Sequence, residues 1–81
     1  MFVRGQVVRS KAGRDKGYLM VVYDYDGTNV YVCEGKERRI KSPKKKNPRH
    51  IEITGLTIND ERMRSDSALR KALAEIKSDI E

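Results

Sequence analysis

Short runs rich in β-branched and aromatic residues recur through the first half of the chain, each closed by a turn signal. Gln6 to Ser10 (QVVRS) predicts a short strand, and Tyr18 to Tyr25 (YLMVVYDY) a longer one. Asp26-Gly27 is the dipeptide of type I′ turns, where φ must be positive, and Asn29 to Cys33 (NVYVC) follows as a third strand. Glu34-Gly35-Lys36 gives another tight turn. Glu37 to Ile40 (ERRI) then reads as a fourth strand, placed at a sheet edge by its charge.

The pattern changes at Lys41 to Arg49 (KSPKKKNPR). Two prolines and five cations in nine residues argue against both helix and ladder strand and predict an extended surface segment. Ile51-Glu52-Ile53 alternates and returns as a fifth strand. Five short strands with no room for a second sheet predict a mainly β fold, a small SH3-like antiparallel barrel. Beyond it, Leu69, Ala72, Leu73, Ile76 and Ile80 fall on one helical face, so Asp66 to about Asp79 is expected to be an amphipathic helix, N-capped by Asp66 or Ser65. The expected organisation is a barrel over residues 1–55, then a linker and a C-terminal helix over 56–81. The helix covers one open end of the barrel, or alternatively docks a protein partner.

Charge sharpens this picture. Residues 1–50 hold thirteen Lys plus Arg against five Asp plus Glu, a net of +8, whereas residues 51–81 hold five against seven, a net of −2; together they make the chain's +6. Positive charge concentrated on one part of an 81-residue domain is the footprint of a polyanion partner. A membrane is the weakest candidate, because no run approaches the roughly 20 apolar residues of a span and the N-terminus lacks an apolar leader. The single cysteine, Cys33, fits a reducing, cytoplasmic setting and packs as a small strand residue. With one histidine, His50, there is no zinc-ligand spacing, and no metal or other cofactor is expected. No carboxylate pair or nucleophile–base couple stands out, so catalytic residues are not expected.

The loop Gly13-Arg14-Asp15-Lys16-Gly17 is not a nucleotide-binding P-loop, because a strand follows it where that motif needs a helix. It reads instead as a hairpin tip. Gly13 and Gly17, like Gly27 in the next turn, shape the chain; Asp15 fixes the tip through an Asx-type bond to backbone N–H groups two residues on; Arg14 and Lys16 present charge to phosphates. Lys11 adds to the same loop. Arg38, Arg39 and Lys41 form a second basic segment, and Lys44, Lys45, Lys46, Arg49 and His50 a third. Should the three share one side of the barrel, changing Lys44, Lys45 and Lys46 together to Ala flattens the salt slope of RNA binding by about two units. The four tyrosines are candidates to stack on bases, Tyr18 first because it follows the basic tip. Alternation puts Tyr23 and Tyr25 on one face of the second strand. Three converging, solvent-open aromatics would instead make a methyl-cation reader.

Gly5, the Val7-Val8 strand, the basic loop ending in Lys16-Gly17 and the Val21-Val22 strand together resemble the KOW motif. With the VVYDYDGTNVYVCEG hairpin and KSPKKKNPRH, the chain looks like the small bacterial KOW proteins related to the eukaryotic and archaeal large-subunit ribosomal protein family numbered fourteen. The likeness covers Phe2 to about Ile53, and Ser65 to Leu73 less distinctively. It implies an SH3-like barrel that binds structured RNA, ribosomal RNA foremost, without catalytic residues; the expected state is a monomer. Gly17 matches the characteristic glycine of the motif, and Arg14, Lys16 and Lys44 to Lys46 match its basic surface; Tyr18 stands where many such loops carry another cation. KOW domains also bind proteins, so docking on a ribosomal or transcription protein is the alternative.

Overall fold

Met20-Val21-Val22 is a run of apolar residues without alternation, and the fold explains it by covering the sheet on both faces. The computed structural model describes residues 1–80. Five strands, β1 (Gln6–Ser10), β2 (Leu19–Tyr25), β3 (Val30–Cys33), β4 (Lys44–Lys46) and β5 (Ile51–Thr57), form one antiparallel sheet in the order β4-β3-β2-β1-β5. Val8, Met20, Val22, Val30, Val32 and Ile51 pack together on the face that curls inward, giving a small barrel-like core. Val7, Val21 and Cys33 point the other way, as period-two alternation requires, and meet Met63, Leu69 and Leu73.

Those last three residues come from the C-terminal segment. A 3₁₀ turn (Asp60–Met63) leads into α1 (Asp66–Ile80), whose first turn is capped by Ser65 Oγ accepting from Ala68 N at 3.1 Å. Asp66 serves a different bond, its Oδ1 accepting from Ile40 N at 2.9 Å. The helix therefore lies against the outer face of the sheet rather than over an open barrel end, and Leu69, Ala72 and Leu73 are buried there. Each fully buried apolar side chain contributes roughly 2 kcal/mol, so this seam is a large part of the stability of a domain this small. The apolar stripe of the helix is used within the chain as far as Ile76, while Ile80 at its end is exposed. The predicted barrel limit at residue 55 falls inside β5, which runs on to Thr57. Of the expected C-terminal segment, Glu81 lies outside the described residues.

Two elements differ from the sequence expectation. Glu37–Ile40 is not a strand: Arg38 O accepts from both Glu34 N and Gly35 N, and Glu34 Oε1 accepts from Lys36 N and Arg38 N, so the segment folds back on itself. Lys44–Lys46, expected as irregular surface chain, is the edge strand β4, followed by a 3₁₀ turn at Pro48–His50. The prolines Pro43 and Pro48 flank the ladder instead of interrupting it, and lysines are tolerated on an edge because the charge repels further strand addition. A register shift between Val22 and Asp24 also separates the tyrosines, placing Tyr23 with the helix-side core and Tyr25 with the barrel interior.

Gly35 holds the folded-back segment against the start of α1. Its φ is 92°, and a Cβ there would lie 2.5 Å from Asp66 O. Gly17 has a similar φ of 91° but open space around it. Gly35→Ala is thus expected to lose on the order of 3 kcal/mol and Gly17→Ala about 1 kcal/mol, read by urea unfolding. Equal losses would show that the close approach to α1 contributes nothing.

Burial pushes the Cys33 thiol up to about 12, with the nearby charges of Asp66 and Glu34 adding to the effect. The native protein is expected to resist alkylation at mildly alkaline pH and to be labelled once denatured. Labelling of the native protein at the denatured rate would contradict this packing. Among the described residues, no helix is long and apolar enough to cross a membrane.

Candidate nucleic-acid interface

The tip between β1 and β2 is tied at its base by Gly17 N donating to Ser10 O at 2.8 Å and Ser10 N donating to Tyr18 O at 3.0 Å. Gly13 and Gly17 sit at φ of 87° and 91° on either side of the charged triplet, as a tight tip requires. Within it Arg14 and Lys16 are exposed, while Asp15 turns inward and is only 6% exposed. Its carboxylate does not cap backbone N–H groups in an Asx turn. Oδ1 accepts from Ser10 Oγ and from Lys46 Nζ, each at 2.8 Å, and Oδ2 accepts from Lys44 Nζ at 3.4 Å.

The reason lies in strand register. β4 pairs Lys44 with Val32 and Lys46 with Val30, so these two lysines share the face of valines that line the barrel interior, whereas Lys45, opposite Tyr31, points the other way. Lys46 consequently extends beneath the tip and is buried. Its ammonium also donates to Ser10 Oγ at 2.8 Å and Ala12 O at 2.7 Å, so three acceptors surround its three protons. Burial alone would raise the Asp15 pKa. Hydrogen bonds from Lys46 and Ser10, with the attraction of Lys46 and Lys44, outweigh it and hold the carboxyl at about 2. Lys46, expected at the binding surface, is therefore a buried ion-pair partner with no proton left for a ligand.

Around this pair the fold does bring the first and third basic segments together. A concavity of about 250 Å³ between the tip and β4 is lined by Lys44, Lys45, Lys46 and His50, with Ala12, Gly13 and Asn47, and by no carboxylate. Lys11 N donates to His50 O at 2.8 Å, closing the seam at its far end. A neighbouring concavity of about 330 Å³ takes in Arg14, Arg38 and Lys44, but Asp15, Glu34 and Glu37 balance them; Tyr18 and Met20 complete its lining. Lys44 belongs to both. Lys11, Lys16, Arg39, Lys41 and Arg49 are exposed and line neither.

A third concavity, about 540 Å³, lies on the other side of Tyr18 against α1, where Arg70 and Lys77 join Leu73 and Ala74. Sequence reading gave these two cations no role beside the basic loops. Their offset of seven on one helix face is the signal that would have found them.

The tyrosines divide clearly. Arg4 stacks over the Tyr23 ring at 4.3 Å, Tyr25 meets Phe2 edge-on at 5.4 Å, and Tyr31 Oη donates to Asp26 Oδ2 at 2.9 Å. No three of them converge on solvent as a methyl-cation cage would need. Comparison of the chain with protein-family models and with curated proteins gave no match.

Proposed function

We propose that this chain is a non-catalytic RNA-binding protein that holds the phosphate backbone of structured RNA, ribosomal RNA foremost, along the seam between the tip and β4. The observation that carries the reading is that seam: Lys44, Lys45 and His50 line it without a carboxylate, beside the exposed Arg14 and Lys16. Such a surface gains from neutralising adjacent phosphates and releasing their counterions, and it fixes position without reading base identity. The concentration of net charge in residues 1–50 and the resemblance to KOW proteins support the same partner. A cytoplasmic setting belongs to this reading, as does a monomer.

The test is anisotropy of a labelled ribosomal RNA hairpin titrated with the protein at several salt concentrations. Four phosphate contacts give a log–log slope of about −3. Binding that does not weaken with salt, or no binding at low salt, would remove the reading. Crosslinking in cells followed by sequencing then separates ribosomal from messenger RNA.

A further inference from the structure

We infer that Tyr18 is the platform for one unpaired nucleobase, so that the protein prefers RNA with a bulged or single-stranded nucleotide over a continuous duplex. The inference rests on the RNA reading above and names the feature of RNA that this surface selects. Three of the four tyrosines have partners within the chain: Arg4 lies over the Tyr23 ring, Phe2 meets the Tyr25 ring, and the Tyr31 hydroxyl donates to Asp26. Tyr18 is the one without a ring contact or side-chain hydrogen bond among the described residues, and it is 45% exposed. It also forms the wall between two concavities, lining both.

Electrostatics separates what each concavity can hold. The seam lined by Lys44, Lys45 and His50 has no carboxylate and suits phosphate. Next to it, the space beside Tyr18 sets Arg14, Arg38 and Lys44 against Asp15, Glu34 and Glu37, so a phosphate gains little there and a neutral group is not penalised. At about 330 Å³ it falls at the small end of ligand pockets, roughly 300–1,000 Å³. Lys44 lines both spaces, so a backbone held in the seam delivers its adjoining base to the tyrosine. Bases within an A-form duplex are stacked inward and cannot make that contact, whereas an unpaired one can be splayed onto an aromatic face.

The experiment compares an RNA hairpin carrying a one-nucleotide bulge with the same hairpin lacking it, using wild type, Tyr18→Ala and Tyr18→Phe, with 2-aminopurine at the bulge as a stacking reporter. Wild type is expected to favour the bulged RNA. Tyr18→Ala is expected to cut that ratio on the order of tenfold and to relieve the fluorescence quenching, and Tyr18→Phe to restore both. Circular dichroism checks that the variants fold, as an exposed position should allow. Equal affinity of wild type for the two RNAs, or a ratio retained in Tyr18→Ala, overturns the platform while RNA binding stands. Binding to neither RNA overturns both.

Discussion

Lys46→Ala is expected to leave most of the protein unfolded at room temperature. The Lys46–Asp15 pair lies at 2.8 Å with side chains only 5% and 8% exposed. Removing the ammonium strands a buried carboxylate with Lys44, at 3.4 Å, as its remaining cation. Breaking one half of a buried pair costs about 3–5 kcal/mol, and a domain of this size has a total of roughly the same magnitude. The double variant Asp15→Asn/Lys46→Met removes both charges and should recover part of the loss, because an uncompensated ion is what the single change leaves behind. Urea unfolding followed by circular dichroism decides it. Should Lys46→Ala unfold within about 1 kcal/mol of wild type, the pair is not what anchors the tip to β4.

The same pair sets an acid limit. Asp15 is held at about 2 in the folded chain against an ordinary 3.8, so the folded state binds its proton less readily than the unfolded state. Its contribution, about 2 kcal/mol, is present in full above the unfolded value and disappears as pH falls from about 4 to about 2. In the Asp15→Asn variant, stability should lose this part of its pH dependence over that window.

The sequence carried the hydrophobic plan well because most of it is local. QVVRS, the run from Leu19 to Tyr25, the Asp26-Gly27 turn and the Leu69/Leu73 stripe each announce their element through neighbours a few residues away. What escaped depends on long-range pairing. KKK has the composition of a solvated loop, and only the ladder to Val30, Tyr31 and Val32 makes it a strand. ERRI has the composition of an edge strand, yet the carboxylates of Glu34 and Asp66 capture the Arg38 and Ile40 amides that a ladder would need. For the candidate site the loss is larger in kind than in number. A charge count treats Lys44, Lys45 and Lys46 as equivalent, but alternation on β4 turns two of them toward Asp15 and one away. Which lysine is free for a ligand is a matter of strand phase, and phase is invisible until the partner strand is known.

That phase determines which substitutions can test RNA binding. Changing all three lysines to Ala would remove both cations paired with Asp15 and unfold the domain, so lost binding would say nothing about contacts. Lys45→Glu with Arg14→Glu is the informative pair. Both side chains are exposed and neither is ion-paired with Asp15; Lys45 lines the seam, and Arg14 stands on the tip beside it. A charge-assisted hydrogen bond to phosphate is worth about 1.5–3 kcal/mol, so losing two is expected to weaken binding by roughly a hundredfold or more at low salt. On single-stranded RNA the log–log salt slope should shrink by about 1.4, two phosphates at about 0.7 each. Raising the salt should bring the variant and wild type together, because the lost attraction is the part that salt screens. A weakened affinity with an unchanged slope would mean that the reversal disturbed shape rather than charge, and would move the phosphate path away from this seam.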